Sequence, residues 1–141
     1  MRVMVLVKAT QDSERGDLPS TEMLAAMGRF NEELAQNGIM VDGDGLKPSS
    51  EGKRIAFDGP SRMVIDGPFA ETKELVAGYW VWNVRDMDEA IDWAKRCPNP
   101  MSSPSELEIR PLYEMEDFAG QLTPEVTELH NHTRDKLAPQ E

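Results

Sequence analysis

Two stretches of this chain are apolar on both of the faces that a β-strand presents. "RVMVLVK" at Arg2–Lys8 is an almost unbroken run of valine, methionine and leucine. "ELVAGYWVWNV" at Glu74–Val84 carries Leu75, Ala77, Tyr79 and Val81 at odd positions, and Val76, Gly78, Trp80, Trp82 and Val84 at even ones. Side chains alternate across a strand, so a strand apolar at both sets of positions is built to be buried on both sides. Such strands belong at the centre of a sheet. The rest of the chain has to cover them.

The remaining segments supply helices and flanking strands in a regular order. After a polar loop ending at Pro19, Ser20 or Thr21 can cap a helix whose Met23, Met27, Phe30 and Leu34 recur at helical spacing, and Gly38 closes it. "IMV" at 39–41 starts a second strand and leads into the turn-rich "DGDGLKPSSEG". "KRIAF" and "RMVI" read as a hairpin closed by the four residues Asp58-Gly59-Pro60-Ser61. Asp86 and Glu89 form a capping box for a helix burying Met87, Ala90, Ile91 and Ala94, which stops before Pro98. "ELEIRPLY" at 106–113 alternates, and Pro111 places it at a sheet edge. Thr123-Pro124 opens a terminal helix with Val126, Leu129, Thr133 and Leu137 on one stripe.

The order β-α-β, hairpin, β-α-β, helix predicts an α+β fold of ferredoxin-like type: an antiparallel sheet with helices on one face and the first and third main strands at its centre. Helices cover one face only. A homodimer pairing the two open faces is therefore expected, with Trp80 or Trp82 and the alternate valines of 3–7 buried between subunits. The expected division is a domain at 1–113 and an extension at 114–141 that carries the terminal helix.

Composition excludes several function classes. A net charge of −11, with no basic stripe, is unsuited to tracking phosphates, so no direct nucleic-acid partner is expected. The apolar run at 3–7 is too short for a signal-peptide core, and no stretch reaches the ~20 apolar residues of a membrane helix. A single cysteine makes no internal disulfide and fits a reducing cytoplasm.

"DGPFAETKELVAGYWVW", with the upstream "GDGLKPS" and the downstream "DMDEAIDWA", resembles the DGPF-domain branch of the YCII-related family over roughly residues 1–113. The resemblance implies a dimeric α+β barrel, two ferredoxin-like sheets packed face to face. It implies no settled activity. Some members are encoded beside alternative sigma factors, and relatives of the barrel include small-molecule isomerases, lyases and monooxygenases. The YCII branch is associated with a His–Asp pair in the sheet–helix cleft, and no histidine precedes His130 here.

The tripeptide Asp-Gly-Pro occurs twice, at 58–60 and 66–68. The first reads as a hairpin turn. The second is the main site candidate, because the dense polar run 71–74 follows it. Asp66 could act as a general base if partly buried, or as a buried acceptor of backbone N–H bonds. Phe69 would line a pocket, Thr72 would hydrogen-bond a ligand and Lys73 would hold an anionic group. The plainer alternative is an Asx-turn with Phe69 as core filler.

Other candidates are weak. Asp42 and Asp44 make up no complete calcium loop, since the closing Glu is absent. His130 and His132, two apart on a helix, make a poor metal pair. Cys97 at a helix C-terminus reads as an inert thiol. Gly43 and Gly45 form no dinucleotide fingerprint, and the nine methionines read as core filler. No metal and no cofactor are expected. Two functions remain: a small-molecule-binding homodimer, of isomerase or lyase type if an enzyme, or a protein-interaction module associated with the transcription machinery. An enclosed pocket beside Phe69 favours the first, and a filled core with an exposed apolar patch favours the second.

Overall fold

The computed structural model describes residues 1–137. Strands β1 (Arg2–Lys8), β2 (Met40–Gly45), β5 (Val76–Asn83) and β6 (Leu107–Pro111) form one antiparallel sheet in the order β2-β5-β1-β6. Strands β3 (Lys53–Asp58) and β4 (Ser61–Asp66) form a separate hairpin between β2 and β5. Helices α2 (Thr21–Gln36) and α3 (Met87–Arg96) connect β1 to β2 and β5 to β6. This is the ferredoxin-like arrangement, and the two doubly apolar strands are its central pair.

Register decides which residues face the helices. Val3 lies opposite Trp82, Val5 opposite Trp80 and Val7 opposite Gly78, so these six share one face. Phe30 and Leu34 of α2 and Ala90 of α3 close over them, and the cluster is almost wholly removed from water. Phe30 meets both tryptophans edge-on, with ring centroids 6.1 and 6.3 Å apart, a favoured aromatic geometry. The expectation that a tryptophan needs a second subunit is thus corrected: both belong to the helix-covered core of their own chain. Met4, Leu6, Tyr79 and Val81 occupy the other face and are half-buried.

The helix ends follow their sequence signals. Ser20 Oγ accepts from the Met23 N–H, Asp86 Oδ1 from that of Glu89, and Thr123 Oγ1 from that of Val126. Glu89 accepts from the Arg85 N–H rather than from its cap residue, one position earlier than a capping box requires. Gly38 ends α2 with φ +70°, the left-handed value that glycine adopts without strain. Ile91 is exposed, and Trp93 packs on the core in its place.

Three expectations change. A short helix, α1 (Gln11–Glu14), interrupts the loop expected before Pro19, capped by Thr10. The hairpin loop has two residues rather than four, because Asp58 and Ser61 already pair. The Asp-Gly repeat at 42–45 is strand, not turn. A Cβ on Gly43 would stand 2.7 Å from Trp80 Cδ1, so glycine there lets the indole cross beneath β2.

The terminal helix α4 (Pro124–Lys136) buries no residue. Leu129 is exposed, as is Leu137 just beyond the helix end, while Val126 is half-buried, so only the start of the stripe finds cover on its own chain. The segment leading to α4 is held by a two-pronged pairing of Arg2 with Glu114, at 3.0 and 3.1 Å. The hydrogen bond from Arg2 keeps the Glu114 carboxyl below its usual range.

With so little buried in α4, truncation after Gln121 is expected to leave a single cooperative melt, with the midpoint lowered by less than about 5 °C. Loss of cooperativity on calorimetry would show that α4 belongs to the core.

Candidate functional site

The two Asp-Gly-Pro copies do different structural work. In the first, Gly59 turns the hairpin with φ +57° and has open space around it. In the second, Gly67 donates its N–H to the Gly52 carbonyl at 3.0 Å and lies directly against the backbone of Ser49. A Cβ on Gly67 would stand 1.7 Å from the Ser49 carbonyl oxygen, so no other residue fits. Ser49 Oγ accepts from the Phe69 N–H at 3.0 Å and donates to Glu14, whose carboxylate also accepts from the Ser49 N–H at 3.0 Å. The corner is therefore clamped to α1 through Ser49. Glu71, just after it, has φ +61°, a left-handed backbone that costs a side-chain-bearing residue roughly 1–2 kcal/mol.

Asp66 takes no part in this clamp. It pairs with Lys53 across the base of the hairpin at 2.6 Å, and its side chain is 72% exposed. Neither a buried acceptor nor a desolvated general base is found there. An exposed ion pair of this kind is worth about 0–1 kcal/mol. The irreplaceable member of the tripeptide is Gly67.

Phe69 lines a recess of about 660 Å³, beneath Arg54, whose guanidinium carbon is 3.8 Å from the ring centroid. Thr72 and Lys73 open a short 3-10 turn and line neither this recess nor the larger cavity beside it. The structure thus separates the four residues expected to form one site.

The larger cavity, about 790 Å³, lies between α2 and the β2–β5 side of the sheet. Met23 and Met27 of α2, Met40 of β2 and Met101 after α3 line it together with Trp80. Trp80 Nε1 donates to Asn31 Oδ1 at 2.8 Å, which fixes the indole at the cavity wall and uses its only polar atom. The exposed Asp17 and Lys47 stand at the mouth, and Leu46, Lys47 and Pro48 separate this cavity from the Phe69 recess. Methionine side chains are polarizable and adaptable, and they make favourable contacts with rings. Met27, Met40 and Met101 pack against the core as expected of core filler, and with Met23 they also form the cavity wall. Their signal is positional: Met23 and Met27 occupy the first half of the α2 stripe, while Phe30 and Leu34 in the second half fill the core.

No histidine lines either cavity, and His130 and His132 are exposed on α4. Among the described residues, no group of three or more His, Cys, Asp and Glu side chains is placed to hold a metal ion. No helix of the described residues is long and apolar enough to cross a membrane.

Comparison with known proteins adds the family. The model of the YCII-related domain matches residues 1–116. The chain belongs to the YCII-related family. It is 36% identical over 67 residues to an uncharacterized protein of Rhizobium meliloti (strain 1021), a match spanning 48% of this chain and about half, 54%, of that one. Among solved structures it is similar to 5-chloro-2-hydroxyhydroquinone dehydrochlorinase from Burkholderia phenoliruptrix AC1100, in complex with 2,5-dihydroxybenzoquinone. That likeness covers 83% of this chain and 98% of the other, at a TM-score of 0.48 and 11% identity.

Two predictions test the corner and the thiol. Gly67→Ala forces the Ser49 backbone to move and is expected to cost about 3 kcal/mol, the upper end of overpacking. Gly59→Ala meets only the left-handed backbone cost, about 1–2 kcal/mol. Thermal melts should therefore rank Gly67→Ala well below Gly59→Ala, and equal midpoints would refute the clamp. Burial pushes the Cys97 thiol up to about 11 from 9.0. Its labelling by a thiol reagent at pH 8 should be roughly 100-fold slower than that of an unfolded control, rising as pH approaches 11. The folded chain holds this proton to higher pH than the unfolded one, so the group's effect is a loss of stability as pH rises from 9 to 11.

Proposed function

We propose that the protein is a small-molecule-binding homodimer whose ligand occupies the methionine-lined cavity between α2 and the sheet. The cavity itself carries this reading. Its volume lies within the ~300–1,000 Å³ of ordinary ligand sites, and its wall is mostly apolar with a few polar groups at the mouth, the usual composition of such sites. The four methionines and the fixed face of Trp80 suit a flat, ring-containing and largely apolar molecule. Asp17 and Lys47 at the mouth would orient its polar substituents. An isomerase- or lyase-like activity belongs to this reading as its enzymatic form, with catalysis falling to groups other than the His–Asp pair.

Membership of the DGPF branch is part of the proposal, and the Gly67–Phe69 corner supports it: glycine and the Phe69 N–H are each used in the clamp. The dimer is supported by the open sheet face. Met4 and Val81 are paired neighbours, as are Leu6 and Tyr79, and all four stand outside the buried core.

A thermal-shift screen of flat aromatic compounds tests the ligand. A compound at 100 times its Kd should stabilise the wild type by about 2.7 kcal/mol, a shift of several degrees. Met23→Trp, which fills the cavity, should abolish the shift, while Phe69→Ala in the neighbouring recess should retain it. A shift surviving Met23→Trp would place the ligand elsewhere. Sedimentation at micromolar concentration tests the dimer separately: twice the 15.8 kDa chain mass is expected, and a single species of one chain would refute it.

A further inference from the structure

The β3–β4 hairpin is apolar on the outside. Ile55, Phe57, Met63, Val64 and Ile65 are all exposed, Phe57 to 72%. Pairing puts Ile55, Val64 and Phe57 on one face, and Ile65, Ala56 and Met63 on the other, so neither face is a solvent face. Both strands are edges, and each is hydrogen-bonded only to the other. A two-stranded hairpin alone is marginal in water, and natural sheets rarely leave such an edge apolar. A hairpin lying on a flat surface uses one of these faces, and Ile55, Phe57 and Val64 make one of them an exposed apolar patch of the kind that marks an interaction site.

We propose that this hairpin is an arm that packs on a second copy of the chain, across the open sheet face of its β2 side. Charge selects that surface. On the face of Ile55, Phe57 and Val64, Arg62 rests on the Phe57 ring and, among the described residues, pairs with no carboxylate. Asp42 and Asp44 of β2 lie opposite Val81 and Tyr79, on the open face, and among the described residues pair with no cation. A basic apolar arm thus complements an apolar face with an acidic border, on a chain of net charge −11 that needs a reason to self-associate. Two-fold symmetry makes the contact reciprocal, each copy giving an arm and receiving one.

The proposal rests on the homodimer reading, and sedimentation equilibrium separates the two. Phe57→Ser with Val64→Ser changes only exposed residues and should leave the melt of the monomer cooperative while raising the dimer Kd at least 100-fold. Arg62→Glu should also weaken association, and adding Asp42→Lys with Asp44→Lys to that variant should restore it at least tenfold. A wild type that sediments as one chain refutes the dimer and the arm together. A wild-type dimer whose Kd is unmoved by Phe57→Ser with Val64→Ser refutes the arm alone. Weakening by the first pair without rescue by the charge exchange overturns the assignment of the β2 side as its dock.

Discussion

The pairing of β1 with β5 is the constraint on which the rest of the structure depends. Setting Val3, Val5 and Val7 opposite Trp82, Trp80 and Gly78 gathers the largest side chains of both strands on one face. A slip of one residue would send them to the other face, away from Phe30, Leu34 and Ala90, and expose the whole core. The same register fixes the site. With Trp80 directed at α2, its indole reaches Asn31, and Gly43 on the neighbouring strand has to be without a side chain to let it pass. The cavity wall is thus a by-product of core packing.

Strand order and helix positions are legible in the sequence because they rest on local patterns: two-sided apolar strands, helical periodicity in α2 and cap residues at Ser20, Asp86 and Thr123. The fate of the two Asp-Gly-Pro copies is not. Both tripeptides have identical chemistry, and a turn preference is all that the three residues encode. What separates them is the Ser49 backbone lying against Gly67, brought there from outside the hairpin by the fold. A glycine required by a neighbour looks, in sequence, like a glycine required by a turn. Asp66 misleads for the same reason: its burial depends on whether the hairpin lies on the body or projects from it.

The face assignment of the tryptophans is also beyond the sequence. In a strand apolar at every position, either set of residues can meet the helices, and the choice is made by which side the β-α-β connections take. Once α2 and α3 lie over Trp80 and Trp82, the uncovered face is left with Met4, Leu6, Tyr79 and Val81. These are smaller or more amphipathic than the tryptophans. With both tryptophans under the helices, the largest apolar side chains of the two strands are kept from solvent within the chain itself.

The Ser49 clamp gives the molecule its division of labour. Glu14 anchors Ser49, Ser49 holds the backbone of Phe69, and the Leu46 N–H donates to the Ala77 carbonyl, so the segment from Leu46 to Pro48 is fixed at both ends. That segment is the wall shared by the methionine-lined cavity and the Phe69 recess, and it leads directly into the base of the hairpin. The Gly-Pro-Phe corner, which in sequence suggests a source of catalytic groups, is in the fold a bracket that ties the base of the hairpin to the short segment of backbone between the two cavities.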